Sequence, residues 1–356
     1  LHDALPIYVT GFIGRIIKGS AGWGDACVLV PWALYEAYGK TEILEENYEM
    51  MIRWLAFCTK RAKKTRRGNR KNPYRDSLVD TGFHFGEWLE PDVPSMQAMR
   101  ENMANGAPEV ATAYYHRSAS LVSKIASVLG KPEDAAKYAK IAENAKKAYL
   151  FTLTENGKII SARQCAYVRP VAFGLLDGVE AQTAADDLNE LVIKNGYHLN
   201  TGFLSTPDLC RVLADHGHTD TAYRLLLQDT CPSWLYAVKK GATTIWETWD
   251  GVREDGTVHD SLNHYSYGAI TGWLMGGVCG IRKIADGLIL CPKPDPSLGY
   301  ASAEWNAPFG TVKSAWRYAD DKLTFDCTVP CATALTLPNG ETYTLQAGAH
   351  HYEILL

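Results

Sequence analysis

One carboxylate in this chain stands between two tryptophans. The segment GATTIWETWDG, residues 241–251, places Glu247 between Trp246 and Trp249 and follows them with a second acid, Asp250. A pyranose ring has an apolar face that stacks on indole and a rim of hydroxyl groups that a carboxylate can bind. A carboxyl group beside indole also loses part of its water, which suits it to general acid or base chemistry. The segment therefore indicates a carbohydrate site, although it also fits a buried helix end with a surface glutamate.

Three other segments combine loop-forming glycine or asparagine with an aromatic and an ionisable residue. They are GSAGWGDA at 19–26, DTGFHFGEWLEP at 80–91 and SLNHYSYG at 261–268. Carbohydrate sites are commonly assembled from such loops on a rigid scaffold. Any one segment can be a packing detail, but four in one chain favour a shared site.

Helical patterns extend over most of the chain, and the predicted helices would position these segments. Apolar residues recur at three- and four-residue steps up to about residue 285, usually with glycine or proline in the breaks. Gly39 is expected to end the first helix and Thr41 to cap the second. Helices in series, joined by alternately short and long links, indicate a toroid of helical hairpins, with the four segments at its mouth. The predicted helices span residues 25–38, 41–64, 108–129, 132–152, 162–177, 180–195, 206–215, 218–228 and 262–280.

The residues after Gly287 have a different pattern. A proline-rich connector is followed by segments that alternate apolar and polar residues, as β-strands do. Asn339-Gly340 is expected to form the turn between two strands. We therefore predict a mainly α chain with two domains: a helical domain over residues 1–287, and a small β-sandwich domain over residues 288–356 that has a structural role.

Composition argues against several classes of protein. Of the 356 residues, 46% are hydrophobic and 21% are charged, as in ordinary globular proteins. No run of eighteen apolar residues occurs, so no membrane partner is expected. A formal charge of -4 provides no broad positive field for nucleic acid. The run from Lys60 to Arg75 holds nine basic residues in sixteen, but without interleaved aromatics it favours a helix end and a solvated loop over a phosphate or nucleic-acid patch.

The nine cysteines are scattered and odd in number, without a C-x-x-C pair. They do not resemble a disulfide framework, and the closest pair, Cys327 and Cys331, has no histidine cluster to complete a zinc site. Buried thiols favour a reducing compartment such as the cytoplasm. The chain starts at Leu1 with LHDALPI, which is not a signal peptide. We expect a fragment whose natural start is missing and whose first seven residues are foreign to the gene. No feature indicates an oligomeric state.

The order of the motifs resembles one family. GSAGWGDACVLVPWALYEAYG, TGFHFGEWL, the stretch from TGFLSTPDLC to TTIWETWDG, and LNHYSYGAI together resemble the catalytic region of bacterial α-L-rhamnosidases of glycoside hydrolase family 78. The resemblance covers nearly the whole chain, including the C-terminal β-domain. It implies an (α/α)6 six-hairpin toroid, hydrolysis without a metal or other cofactor, and inversion at the anomeric carbon of a terminal α-L-rhamnose on a glycoside or polysaccharide.

The resemblance also implies roles for individual residues. Glu247 matches the family's general base, which deprotonates the attacking water. Asp25 and Asp80 would bind ring hydroxyl groups, and His264 would donate to another. Packing alternatives stay open for two of them: Asp80 as the cap of a helix or turn, and His264 as a structural histidine. Apolar walls for the rhamnose methyl group would come from Trp23, Trp88, Trp246 and Trp249.

The general acid is where the chain departs from the family. Relatives carry a glutamate four residues before the tryptophan of the GW motif, whereas Gly19 occupies that place here and residues 11–20 contain no acid. An inverting acid lies about 6.5–9.5 Å from its base. Either the chain uses another acid, or the donor was lost with the N-terminus, or the protein is weak or inactive. Glu87 is the favoured replacement because Trp88 can desolvate it, and Asp25 is the second.

Two other functions fit the sequence. A homologue that kept the pocket and lost the proton donor would bind rhamnose without turnover. Another enzyme on the same toroid, such as an unsaturated glucuronyl hydrolase or a polysaccharide lyase, is the other alternative. A lyase needs a positive group to neutralise a uronate carboxylate, and the four segments contain no Arg or Lys. Lys239 and Lys240 lie just before the glutamate motif.

Overall fold

The structure is a computed structural model that describes residues 19–64, 71–284, 287–319 and 321–355. The chain divides into two compact units. Of the described residues, unit 1 comprises those in the ranges 19–35, 39–191 and 200–205, and unit 2 comprises the remainder.

Helices make up most of unit 1. Proline occupies the first position of both α4 and α5, where its missing N–H has no partner to lose. These two helices pack along each other as a hairpin. In the described part of this unit, the apolar patterns predicted every α-helix except α3, none of whose residues is buried. The helices are α1 (Ala26–Tyr38), α2 (Glu42–Ala62), α3 (Ser95–Asn105), α4 (Pro108–Val128), α5 (Pro132–Leu153), α6 (Cys165–Ala172) and α7 (Gly178–Lys194).

The main core of unit 1 forms from α1, α2, α4 and α5. Val28 of α1, Met51 and Leu55 of α2, and Val122 and Ile125 of α4 are all fully buried in it. Their three- and four-residue spacing places each set on one helix face. Full burial of such a side chain contributes about 1.5–3 kcal/mol, so the core holds the loops between these helices in fixed positions.

The predicted boundary between α1 and α2 is half right. Gly39 ends α1 in the left-handed conformation, with φ 69°, and its N–H donates to the carbonyl of Tyr35 at 2.7 Å. Thr41 immediately precedes α2, but its side chain makes no capping hydrogen bond. Thr41 therefore occupies the predicted cap position of the helix without a capping bond from its side chain.

Unit 2 begins with shorter helices, α8 (Thr206–Asp215), α9 (Thr219–Leu227) and α10 (Trp234–Lys239). A later helical segment runs from a 3-10 turn at Ser266–Ala269 through α11 (Ile270–Trp273) into a π turn at Leu274–Val278. The sequence predicted this helix to start at residue 262. It starts later because the backbone before it pairs with another loop. Within the described residues, no helix is both long and apolar enough to cross a membrane.

Two four-stranded sheets form the C-terminal part of unit 2, with strand orders β1-β2-β6-β7 and β3-β4-β5-β8. Neighbouring strands are antiparallel except for β2 and β6. Asn339-Gly340 lies in the turn between β6 and β7, as predicted. The strands are β1 (Ile281–Ile284), β2 (Gly287–Leu290), β3 (Tyr300–Ala307), β4 (Gly310–Ala319), β5 (Lys322–Val329), β6 (Thr333–Thr336), β7 (Thr342–Leu345) and β8 (Gly348–Leu355).

Hydrogen bonds tie this β-region to the helical segment before it. The indole N–H of Trp316 donates to the carbonyl of Val278 at 2.8 Å, and the Ser314 hydroxyl donates to the carbonyl of Cys279. Strand β1 starts at Ile281, six residues before Gly287. The domain boundary at residue 287 stays a prediction.

Candidate active site

Two loops of unit 2 hold Glu247 in place. The backbone N–H of Glu247 donates to the carbonyl of Ser261 at 2.8 Å, and the backbone N–H of His264 donates to the carbonyl of Ile245 at 2.8 Å. These bonds lay the glutamate loop beside the residues that precede the helical segment. The two predicted motif segments of unit 2 therefore do meet, and the pairing explains why the helix starts late.

The residue Glu247 is half-buried. Its Oε2 accepts a hydrogen bond from the backbone N–H of Ser261 at 3.2 Å. Among the described residues this is its one side-chain hydrogen bond, whereas an ionised carboxylate has about four acceptor positions. The remaining positions can receive a water molecule or a sugar hydroxyl group.

The two tryptophans beside Glu247 are buried. Trp246 is 5% exposed and Trp249 is 6% exposed. Trp249 stacks on Tyr267 with ring centroids 3.8 Å apart and meets Trp234 edge-on at 5.5 Å. All four rings line an apolar cavity of about 410 Å³, to which Glu247 does not contribute. These contacts favour a packing role, and the predicted role of Trp246 and Trp249 as walls for a sugar stays a prediction.

His264 is half-buried beside Tyr265, with the two rings nearly parallel and their centroids 5.2 Å apart. Its Nδ1 accepts a hydrogen bond from the backbone N–H of Ser266 at 3.4 Å. This bond assigns the proton of the neutral ring to Nε2. Donation to a sugar hydroxyl group, the predicted role, is compatible with that tautomer.

Unit 1 holds the other two motif segments together. The backbone N–H of Ala21 donates to Nδ1 of His84 at 2.9 Å, and the backbone N–H of Phe85 donates to the Ser20 hydroxyl at 3.0 Å. Burial, helped by the charge of Arg61, lowers the pKa of His84 to about 3. His84 is therefore a neutral acceptor at physiological pH, and the segments at 19–26 and 80–91 meet. That all four segments share one site stays a prediction.

Three aromatic side chains of these segments form a cluster. The Phe85 ring lies 4.7 Å from Trp23 and 5.1 Å from Trp88, measured between centroids, and all three are half-buried. Trp23 and Trp88 were predicted as sugar contacts, which stays a prediction. Phe85 was missed because nothing in the sequence distinguishes it from the neighbouring Phe83, which is buried.

Glu87 is buried with its carboxylate fully hydrogen-bonded. Its Oε1 accepts from the backbone N–H groups of Gly202 and Ser205, both at 2.9 Å. Its Oε2 accepts from the Ser205 hydroxyl at 2.9 Å and from the guanidinium of Arg169. Burial raises the pKa of Glu87 to about 7, against the charge of Arg169.

A general acid must contact the glycosidic oxygen to which it gives its proton. The four donors around Glu87 occupy all of its hydrogen-bonding positions, and the residue is 2% exposed. The structure therefore favours a structural role for Glu87 over the general-acid role that the sequence favoured.

The other candidate acid, Asp25, is enclosed in the same way. Its Oδ1 accepts from the indole N–H of Trp54 at 2.8 Å and from the Ser118 hydroxyl, and its Oδ2 accepts from the backbone N–H of Gly22 at 2.9 Å. Burial raises its pKa despite these bonds. Asp25 and Asp80 are each 1% exposed, which favours packing roles for both over the predicted contacts with sugar hydroxyl groups.

The position that the resemblance implies for the proton donor has no space for a side chain. Gly19 has φ 66°, and a Cβ atom there would lie 2.3 Å from Cε1 of Phe57 and 3.2 Å from Cζ3 of Trp54. Arg61 donates to the carbonyl of Gly19 at 3.0 Å and so fixes the backbone. An acidic side chain does not fit at this point without rearrangement.

Possible metal ligands, cysteines and basic residues were also considered in the sequence. In the part of the chain that the structure describes, no group of three His, Cys, Asp or Glu side chains is placed to hold a metal ion, and all nine cysteines are free thiols. Residues 65–70 of the basic run lie outside the described residues. Lys239 pairs with Asp229, and Lys240 pairs with Glu254 at 2.7 Å.

Comparison with known proteins covers both parts of the chain. The model of the bacterial α-L-rhamnosidase six-hairpin glycosidase domain matches residues 2–278, and that of the bacterial α-L-rhamnosidase C-terminal domain matches residues 280–351. An α-L-rhamnosidase of Formosa agariphila is 34% identical over 346 residues, which are 94% of this chain and 36% of that protein. One of Streptomyces avermitilis is 35% identical over 328 residues, 89% of this chain and 29% of that protein.

A solved structure agrees with the sequence matches. The crystal structure of the Streptomyces avermitilis α-L-rhamnosidase complexed with L-rhamnose has a TM-score of 0.82 at 31% identity, covering 97% of this chain and 34% of that one. The chain spans about a third of the length of these relatives. The predicted fold class is confirmed, and the chain belongs to the bacterial α-L-rhamnosidase family, with a six-hairpin glycosidase domain followed by the family's C-terminal domain.

Proposed function

We propose that this chain is the catalytic part of an enzyme that releases terminal α-L-rhamnose from glycosides or polysaccharides with inversion. The observation that carries the proposal is Glu247, a half-buried carboxylate with acceptor positions left open. Membership of the rhamnosidase family, with a relative whose structure holds L-rhamnose, supports the choice of sugar.

In the proposed mechanism, Glu247 is the general base. It takes a proton from a water molecule whose oxygen bonds to the anomeric carbon, while the glycosidic C–O bond breaks and the leaving oxygen accepts a proton from an acid. The backbone N–H of Ser261 orients the carboxylate. His264, in the same unit, donates from Nε2 to a sugar hydroxyl group. Trp23 and Trp88 have partly exposed rings, and the resemblance implies that they contact the apolar face and methyl group of rhamnose.

The lack of an accessible acid among the candidates considered favours a second candidate function. Neither Glu87 nor Asp25 has an exposed carboxylate, and Gly19 has no space for the usual donor. A rhamnose-binding homologue without turnover is consistent with these facts. A lyase is disfavoured, because Lys239 and Lys240 are already paired with carboxylates.

The test compares the folded chain with Glu247→Gln on p-nitrophenyl α-L-rhamnopyranoside. Loss of a general base should lower kcat by about 10²- to 10⁴-fold, with thermal unfolding almost unchanged because Glu247 is half-buried. Glu254→Gln is the matched control, since Glu254 lies in the following loop and is 80% exposed. NMR of the first-formed anomer checks inversion.

Each outcome separates the candidates. Full activity in Glu247→Gln would remove Glu247 from the mechanism. A folded chain that binds L-rhamnose in calorimetry but releases no nitrophenol would be the binding homologue. A folded chain that shows neither binding nor turnover would contradict both proposals.

A further inference from the structure

His259 lies between two carboxylates next to the Glu247 loop. Its Nε2 is 3.0 Å from Oδ1 of Asp250 and 2.9 Å from the carbonyl oxygen of the same residue. Its Nδ1 is 2.7 Å from Oδ2 of Asp260. A hairpin with a bridge between Val252 and Val258 brings the histidine back to Asp250, which explains why the sequence pattern did not connect them.

Both ring nitrogens of His259 face acceptor oxygens. A neutral imidazole has one N–H donor and one acceptor lone pair, so it can bond to only one side of this arrangement. The imidazolium form donates to both sides. The geometry therefore fits the charged form of His259.

The backbone of residues 260 and 261 connects His259 to Glu247. Asp260 adopts a left-handed backbone conformation, with φ 55°, which is uncommon for residues other than glycine, although aspartate and asparagine tolerate it better than most. The next residue, Ser261, directs its backbone N–H to Oε2 of Glu247 and accepts from the backbone N–H of the same glutamate. The orientation of this N–H depends on the conformation of Asp260, which the bond to His259 holds.

We propose that His259 is a positioning residue whose imidazolium bridges Asp250 and Asp260 and so holds the Ser261 N–H against the carboxylate of Glu247. The proposal rests on the function proposed above for Glu247. It assigns no proton transfer to His259, which acts only through the backbone of Ser261.

The charges around His259 support this role. Partial burial lowers the pKa of His259, but the hydrogen bond to Asp260 and the charge of Asp250 outweigh it, so the pKa is raised overall. Arg253, the other charged group facing this site, opposes the rise and binds Asp250 at 3.3 Å. A histidine with a raised folded pKa stabilises its loop fully below its unfolded pKa, near 6.5. That contribution is lost as the pH rises through the folded pKa.

The first test does not require turnover. With ¹⁵N-labelled serine, the amide shift of Ser261 should follow the titration of the His259 ring, observed separately in a carbon-detected spectrum. In His259→Gln this titration of the Ser261 amide should disappear. His351→Gln is the matched control: His351 also lies between two carboxylates, with Nδ1 2.7 Å from Asp326 and Nε2 4.0 Å from Glu353, but on a strand of the second sheet.

The second test measures kinetics. His259→Gln should lower kcat about 10- to 100-fold with little change in KM, since a misplaced catalytic group costs rate rather than binding. His259→Arg, permanently charged and with several donors, should restore most of kcat, and the decline of its kcat with rising pH should begin at a higher pH than in the wild type.

The outcomes distinguish this inference from the function on which it rests. A Ser261 amide that ignores the His259 titration, or wild-type kcat and pH profile in His259→Gln, would overturn the inference. If the amide follows the titration while the wild-type chain hydrolyses no rhamnoside, the contact exists but its catalytic role fails together with the proposed function.

Discussion

The carboxylates of the two units differ in how many protein donors surround them. In unit 1, Glu87 accepts four hydrogen bonds and Asp25 accepts three, and both are nearly inaccessible. In unit 2, Glu247 is half-buried and accepts one. A carboxylate enclosed by donors holds loops together, whereas one with open positions can exchange water and sugar hydroxyl groups. An acid beside a tryptophan is thus a weak marker of catalysis, and the number of its protein donors is more informative.

The largest expected effect is on the free energy of unfolding, and it tests whether the enclosed carboxylate of Glu87 has a structural role. Arg169 is fully buried and pairs with both Glu87 and Glu109. Arg169→Met would leave Glu87 buried without its cation, and removing one partner of a buried pair costs about 3–5 kcal/mol. Urea unfolding followed by tryptophan fluorescence measures this loss of free energy of unfolding.

The control for this variant is an exposed ion pair. Arg53 binds Glu49 at 2.8 Å with both side chains more than half exposed, and Arg53→Met should cost less than about 0.5 kcal/mol. A similar small loss in Arg169→Met would mean that the cluster around Glu87 does not hold the loops, and the structural role argued for Glu87 would be withdrawn.

A smaller effect is expected at Gly19, the position that the resemblance implies for the proton donor. Gly19→Glu should reduce the free energy of unfolding by about 2–5 kcal/mol, because a left-handed backbone costs about 1–2 kcal/mol and overpacking against Phe57 costs about 1–3 kcal/mol. It should not increase turnover. Gly39→Glu separates the two causes, since Gly39 has φ 69° and nothing within 4 Å of its Cβ position, and should lose only about 1–2 kcal/mol.

Equal losses of free energy of unfolding in the two glycine variants would show that the Phe57 side chain moves aside at little cost. A gain of rhamnosidase activity in Gly19→Glu would show that an acid can function at this position, and the absence of a donor would then be a matter of residue type alone.

Sequence patterns predicted most of the helices and the β-region because apolar periodicity directly reflects which faces are buried. They failed for α3, which buries no residue, and for the start of the last helical segment, where residues 261–264 pair with the Glu247 loop. The choice of Glu87 as acid stays a prediction, but the structure shows surroundings that local sequence could not reveal. Its donors Gly202 and Ser205 lie more than a hundred residues further along the chain, so local sequence could not show that the carboxylate is enclosed.

The smallest expected effect concerns the aromatic cluster of unit 1. Trp23 is half-buried and contacts Phe85, so part of its ring surface stays available. Contacts of aromatic rings are worth about 0.5–1.5 kcal/mol beyond the area that they bury. Trp23→Ala should therefore raise KM for the nitrophenyl rhamnoside by about 2- to 10-fold while kcat changes less, as steady-state kinetics would show.

Trp305→Ala provides the comparison, because Trp305 is also half-buried and has one aromatic neighbour, Phe309, at 5.5 Å. It lies on β3, in the region without a predicted site. An unchanged KM there beside a raised KM in Trp23→Ala would locate sugar binding at the cluster. Equal changes in both variants would mean that loss of a half-buried indole acts through stability, and the closed loops of unit 1 would then contribute structure rather than recognition.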